Sequence, residues 1–329
     1  MNILVTGGLG VNGAWIVRQL LDEGHQPISY SRHVDTTLVP DIADKFDIVV
    51  GDVLDIASLI RVLKEHQVKR IIHMSALMPG PAQANPLMGF QTNASGTVNV
   101  LEAARIMEVE RVVFASSKGV YASFTGEYGY PTYKPVDEEY PLRPISTIGV
   151  YGSTKIASEF MGIVYSHAYG IEFIALRAGG IYGIGKSARH GRIAIFGNMI
   201  ENAMAGAPNK IPVGGDEKDD VIYVKDYTNA AVLACFAKNP KHHIYNIGAG
   251  QAYSLRDFAN AIKKIYPEAE FDIGPGRDYM KMPEIYCVMN FSRAKEELGY
   301  TPKFSLEDGV RDYVESMRKL NIEPVYRPW

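Results

Sequence analysis

Val5-Thr6-Gly7-Gly8-Leu9-Gly10-Val11-Asn12-Gly13 is the stretch on which the fold turns. Before it, Ile3–Val5 is a short apolar run that reads as a strand. After it, Val11–Glu23 carries apolar residues at helical spacing. A glycine-rich turn that leaves a strand and opens a helix is the context in which a dinucleotide's pyrophosphate is held. Gly7 takes a tight-turn conformation that is costly for other residues. Gly10 lets the backbone approach the pyrophosphate, and Gly13 lets the helix pack against the strand. The helix start adds unpaired N–H groups and a positive dipole. A plain glycine-rich turn is the bland alternative, and the flanking elements speak against it. Gly7, Gly10, Val11, Asn12 and Gly13 are therefore candidate cofactor contacts.

Outward from the turn, strands and helices alternate. Strand candidates are Ile3–Val5, Pro27–Tyr30, Ile48–Val50, Arg70–His73, Arg111–Ala115 and Glu172–Leu176; helix candidates are Val11–Glu23, Ile56–His66, Asn93–Met107 and Tyr151–Tyr169. Apolar strands separated by amphipathic helices predict an α/β fold, a doubly wound parallel sheet of the Rossmann type covered on both faces. Past about residue 180 the pattern loosens. A helix near Gly197–Ala205, a return strand Ile244–Ile247 and helices at Ser254–Ile265, Ser292–Tyr300 and Leu306–Lys319 suggest a smaller, interleaved C-terminal lobe. The expected division is a dinucleotide-binding domain over 1–178, with 220–250 returning to it, and a substrate lobe from 179–219 and 251–329.

Composition fits that picture. The 329 residues are 47% hydrophobic and 22% charged, and the net charge of −3 gives no nucleic-acid footprint. Cys235 and Cys287 sit in apolar surroundings and read as buried free thiols, which suits a reducing cytosol. No basic leader precedes the first strand, and no run of about 18 apolar residues suggests a membrane span. His242-His243 has no further His or Cys at ligand spacing, so no metal is expected.

The end of the second strand bears on the cofactor. An acidic residue about 20 positions beyond the glycine turn usually accepts the ribose 2′-hydroxyl of NAD. Here the segment reads Ile28-Ser29-Tyr30-Ser31-Arg32-His33, with no carboxylate. Ser31 and the planar donors of Arg32 suit a 2′-phosphate, so NADP is the expected preference, with NAD possible. The alternative is that Arg32 stacks on adenine or faces solvent in an enzyme that uses NAD. Gly51-Asp52-Val53 ends the third strand, where Asp52 either meets the adenine amino group or caps its loop.

Tyr151-Gly152-Ser153-Thr154-Lys155 carries the chemistry. Spacing of four puts Tyr151 and Lys155 on one helical face. A tyrosine titrates near about 10, and a neighbouring ammonium is expected to lower that value toward acid–base range. Lys155 can also hold the nicotinamide ribose. Upstream, Phe114-Ala115-Ser116-Ser117 sets a hydroxyl just past a parallel strand, at the sheet edge where ligands bind. Ser117 can then orient a substrate oxygen toward Tyr151.

With these residues the chain resembles the extended short-chain dehydrogenase/reductases, the NAD-dependent epimerase/dehydratase family. The likeness also takes in Ile72-His73-Met74-Ser75-Ala76, Asn93 with Gly96-Thr97, Leu176-Arg177, Tyr223-Val224-Lys225-Asp226 and Ser292–Tyr300. It implies a Ser117–Tyr151–Lys155 triad, cofactor contacts near Ser75, Ala76, Asn93 and Gly180, and a homodimer formed through the helices at 93–107 and 151–169. Some positions depart from it. Gly179-Gly180-Ile181 stands where nucleotide-sugar epimerases carry Asn, and Lys218-Asp219-Asp220 where they carry an Arg for the diphosphate. Ile195-Phe196 replaces an Asn-Leu pair, and Lys118-Gly119 replaces the Asp-Glu pair of the dehydratases. Asn12 stands where a bulky aliphatic is commoner.

The reading that follows is an NAD(P)-dependent oxidoreductase moving a hydride between the cofactor and a small hydroxyl or carbonyl compound. The alternatives are a nucleotide-sugar 4-epimerase with transient hydride transfer, and a cofactor-binding sensor or scaffold without turnover. The partner expected is a small molecule, with neither nucleic acid nor membrane. The loop Lys186–Arg192 offers either a cationic clamp for an anionic substrate or a solvated basic surface.

Overall fold

β1 (Asn2–Thr6) is an interior strand of the main sheet, next to the middle one. In the computed structural model, which describes residues 1–142, 149–281 and 284–329 (Arg192 by its backbone alone), β1 is followed by β2 (Gln26–Ser31), β3 (Asp47–Val50), β4 (Arg70–His73), β5 (Arg111–Ala115) and β6 (Glu172–Ala178). Short strands β7 (Gly180–Tyr182), β8 (Asn209–Ile211) and β9 (Lys218–Tyr223) precede β10 (Ile244–Ile247), and β11 (Ala252–Ser254) and β12 (Phe271–Ile273) follow. The seven-stranded sheet runs β3-β2-β1-β4-β5-β6-β10 with every neighbour parallel. Strand order reverses at β1, between β2 and β4, and a crevice at the carboxyl ends of the strands is the consequence.

Helices α1 (Val11–Asp22), α2 (Ile56–Glu65), α3 (Pro79–Ala84), α4 (Pro86–Phe90), α5 (Gly96–Ile106) and α6 (Gly149–Tyr169) belong to the first half of the chain. After them come α7 (Lys186–His190), α8 (Ile195–Met204), α9 (Val224–Phe236), α10 (Leu255–Lys263), α11 (Ser292–Leu298) and α12 (Leu306–Lys319). β1 shows why its apolar run is unbroken. Ile3 and Val5 join the core that holds Ile16 of α1 and Ala230 of α9, whereas Leu4 joins the core with Leu59 of α2 and Val100 of α5. Both faces are covered, so each residue of the strand must be apolar. Among the described residues no helix is long and apolar enough to cross a membrane.

The structure departs from the sequence reading in three places. The helix expected at Asn93–Met107 is interrupted: α4 runs into a π-helical turn at Gln91–Ser95, and α5 starts only at Gly96. The boundary placed at 219/220 falls inside β9, which pairs with β7 and β11 rather than with the main sheet. The chain returns to the main body with α9, a helix whose buried residues (Ala230, Ala231, Ala234 and Cys235 among them) give no amphipathic stripe to read.

Candidate active site

A cleft of about 540 Å³ opens at the carboxyl ends of β1, β2, β4, β5 and β6. Its floor begins at the glycine turn. Gly7 has φ +67°, and its carbonyl accepts from Gly10 N at 2.8 Å. A Cβ on Gly13 would lie 2.1 Å from that same carbonyl oxygen, so α1 can approach the strand only without one. The result is a bare backbone cradle at a helix start, which fits the diphosphate of a dinucleotide. Val11 and Asn12 line the cleft beside it, and Asn12 Oδ1 is buried without a partner.

At the adenosine end, Leu9 N donates to Ser31 Oγ at 3.3 Å, and Arg32, exposed, lines the same wall. Asp52 and Val53 lie there too; Asp52 Oδ1 accepts from Leu54 N at 2.9 Å, the loop-capping use of that side chain. A second acidic group also stands near this end. Asp35, beyond the strand, holds Arg189 of α7 at 2.5 Å, and Arg189 also donates to the Leu9 carbonyl at 3.1 Å.

Ser75 and Ala76 follow β4, and a relay through His73 fixes their backbone. Thr6 Oγ1 accepts from Met74 N at 3.2 Å and Ser75 N at 3.3 Å, so its proton goes to His73 Nδ1 at 2.6 Å. Nε2 then carries the ring's proton and donates to Thr97 Oγ1 at 3.0 Å, which donates to the Asn93 carbonyl at 2.6 Å. The ring is fully buried, and burial drops its pKa to about 3, so it stays neutral as this wiring requires. Asn93 is the one predicted cofactor residue that does not line the cleft. Its side chain accepts from Leu77 N at 2.7 Å and donates to Leu77 O at 3.0 Å, shaping the loop after Ala76 instead.

Ser117, Tyr151, Lys155 and Gly180 line the same cleft. Ser117 leaves β5 in extended backbone, and its Oγ accepts from Gly119 N at 3.0 Å, which leaves its own proton to donate. The Ser117 hydroxyl is within hydrogen-bond contact of the Tyr151 phenol. Tyr151 sits in the first turn of α6, and Lys155 reaches the Ala115 carbonyl at 2.6 Å. The ammonium lies 5.4 Å from the centre of the Tyr151 ring and 4.5 Å from that of Phe114. Contrary to the expectation that Lys155 would lower the phenol, burial dominates: Tyr151 is pushed up to about 12 and Lys155 down to about 7. A phenol in that range is protonated at neutral pH, the form that donates.

Two buried ion pairs set these groups in place. Arg177 of β6 grips Glu159 of α6 through Nε at 2.9 Å and Nη2 at 2.6 Å, and Ser116 donates to the same carboxylate at 2.5 Å. β5, α6 and β6 are thereby tied together immediately behind Ser117 and Tyr151. Lys118, the residue after Ser117, is paired with Asp219 of β9, and both line the cleft. The sequence had marked Ser116 and Arg177 without their partner. Glu159 carries no motif of its own, and only the four-residue step from Lys155 places it on the same helical face. Lys186, Arg189 and His190 of α7 also line the cleft, which removes the reading of this segment as solvated surface; the Arg192 side chain lies outside the described residues.

Comparison with known proteins agrees with this architecture. The sequence profile described as the NAD dependent epimerase/dehydratase family matches residues 3–248. A putative UDP-glucose 4-epimerase of Methanocaldococcus jannaschii is 30% identical over 320 residues, 97% of this chain and 99% of that one. The crystal structure of the UDP-glucose 4-epimerase of Thermus thermophilus in complex with NAD is 28% identical, with TM-score 0.81 over 97% of this chain and 99% of its own. That of UDP-glucose 4-epimerase from Stenotrophomonas maltophila, with bound NAD and formylated UDP-arabinopyranose, is 26% identical, with TM-score 0.83 over 98% and 99%. The chain belongs to the NAD-dependent epimerase/dehydratase family and is a nicotinamide-dependent enzyme of hydride transfer.

Proposed function

We propose that the cleft takes a nicotinamide dinucleotide and a secondary alcohol or its ketone, and that Ser117, Tyr151 and Lys155 perform the proton half of the reaction. The observation that carries this is that all three side chains line one cleft, with the Ser117 hydroxyl in hydrogen-bond contact with the Tyr151 phenol and the Lys155 ammonium 5.4 Å from the centre of its ring. The bound cofactor supplies or accepts the hydride. Ser117, whose oxygen accepts from Gly119 N, donates its proton to the substrate oxygen and aims it at the phenol. In reduction the Tyr151 hydroxyl gives its proton to that oxygen; in oxidation the phenolate takes it back. Lys155, held by the Ala115 carbonyl, is placed for the nicotinamide ribose. Ser31, Arg32, Asp52, Val53, Ser75 and Ala76 would line the adenosine and nicotinamide ends, and Asn93 would act through the loop it braces.

Net oxidoreduction is the first reading, supported by Gly180 and Asp219 at positions where the epimerases carry Asn and a diphosphate-binding Arg. Transient oxidation in a nucleotide-sugar 4-epimerase is the second, favoured by the UDP-glucose 4-epimerases that match along nearly the whole chain. Absorbance at 340 nm during turnover separates them: a net change for the first, none for the second. NADP(H) is the proposed preference, resting on Ser31, Arg32 and the lack of a carboxylate at the end of β2. The NAD in the Thermus and Stenotrophomonas enzymes favours the other dinucleotide, and titration with both decides.

The finer organisation is proposed as well. Residues 179–219 and 251–329 would form the substrate lobe around a dinucleotide domain of 1–178, rejoined by the segment up to 250. Exposed Leu87 and Phe90 of α4, Ile106 of α5, and Phe160 and Val164 of α6 supply the apolar face that a homodimer through these helices would cover. Cytoplasmic residence is consistent with the free, buried Cys235 and Cys287.

A further inference from the structure

Lys186 opens α7, is only 7% exposed, and lines the cleft. It donates to the Ile181 carbonyl at 2.7 Å, and among the described residues no carboxylate pairs with it. Burial without a counter-charge pushes it down to about 7. A buried ammonium in this position is costly until an anion joins it. His190, on the same short helix, also faces the cleft, and its Nδ1 is buried without a hydrogen-bond partner. Between the two, Arg189 is pinned to the Leu9 carbonyl and to Asp35. α7 is thus strapped against the phosphate-binding turn by one side chain while two others keep polar atoms in reserve.

Across from the strap lies the cradle of Gly10, Asn12 and Gly13. A diphosphate entering there brings two negative charges, and a helix start offsets roughly half of one. Among the described residues the other cations of the cleft are committed elsewhere: Arg32 at the adenosine end, Lys155 on the Ala115 carbonyl, Lys118 on Asp219. We propose that Lys186, with His190 beside it on the strap, faces the diphosphate of the dinucleotide from the second lobe, so that the phosphates lie between the glycine turn and α7. This rests on the reading of the cleft as a dinucleotide site. It makes the strap part of the cofactor site, although it belongs to the half of the chain assigned to substrate.

Calorimetric titration of wild type, Lys186→Met and Lys186→Arg with NAD⁺, NADP⁺ and ADP-ribose tests it, since ADP-ribose retains the diphosphate and lacks the nicotinamide. Lys186→Met is expected to weaken all three ligands at least about tenfold, the loss of a charge-assisted contact, and Lys186→Arg to recover most of it. The melting temperature of the unliganded Met variant should equal or exceed that of wild type, because a lone buried charge has gone; a merely structural lysine would lower it. Should the Met variant not fold, Lys186→Gln keeps a donor for Ile181 without the charge, and the same loss is expected. Affinities within about twofold of wild type in the folded variant would overturn the proposal. A wild-type protein that binds none of the three ligands would instead bring down the dinucleotide reading itself.

Discussion

Glu159→Gln is the substitution that tests how the site is held. The carboxylate is 3% exposed and the Arg177 guanidinium 4%. It accepts from two nitrogens of Arg177 and from Ser116. An amide of the same shape keeps one acceptor oxygen and turns an NH₂ group toward donors that it cannot satisfy. Removing one partner of a buried pair costs about 3–5 kcal/mol; the surviving contact argues for the lower end, about 3 kcal/mol. For a chain of this size that lowers the melting temperature by roughly 4 °C. A second effect follows from the sign of the charge. Glu159 is the group that raises Lys155 against burial, so its removal moves Lys155 further below about 7. Thermal denaturation at pH 7.5, together with competitive acetylation of Lys155 across pH read by mass spectrometry, reports both. A melting temperature within about 1 °C of wild type and an unmoved Lys155 titration would show that the pair supports neither the fold nor the lysine.

Tyr151→Phe should cut turnover by at least about 100-fold while dinucleotide affinity, measured by calorimetry, stays near that of wild type; a variant within about tenfold of normal activity would remove Tyr151 from the proton step. Arg32→Ala should weaken NADP(H) by at least about tenfold and spare NAD(H), whereas equal loss for both would mean that the guanidinium only covers the adenine. Gly13→Ala drives a methyl to 2.1 Å from the Gly7 oxygen, so the turn must open; a protein that melts normally and still binds dinucleotide would show that the cradle tolerates this. The unliganded protein should gain stability as pH rises from about 7 to about 9. Lys155 and Lys186 sit near 7 when folded and at 10.5 otherwise, so across that window the unfolded chain binds more protons. Melting temperatures flat or falling over the same range would contradict the burial of these lysines as neutral groups.

Much of the main sheet was legible because local and global signals agree there. Ile3–Val5, the glycine turn and Val11 onward each specify the same βα unit, and burial on both faces makes every strand an apolar run. The site was legible where one residue type has one use, as with Gly13 or Tyr151. It was less so where a residue acts through another. Asn93 looks like a cofactor contact, yet both ends of its amide are consumed by Leu77. Glu159 and Asp219 owe their importance to Arg177 and Lys118, partners that no local spacing encodes. The direction of the Tyr151 shift is hidden from sequence for a related reason. Spacing brings Lys155 to the same helical face, but the Ala115 carbonyl takes its ammonium, and desolvation then decides the direction.

The position of α9 has a consequence for how the chain is made. α1 is synthesised well before α9, and a large part of its apolar face packs against that later helix. β10, the outer neighbour of β6, comes later still. An emerging polypeptide that has completed β1 to β6 therefore still exposes the greasy side of α1 and an open sheet margin at β6. It is a sticky intermediate until the segment ending at Ile247 has left the ribosome. Truncation after residue 178 should give an aggregating fragment rather than a self-standing nucleotide-binding module, and holdase chaperones should engage nascent chains longest between these two points.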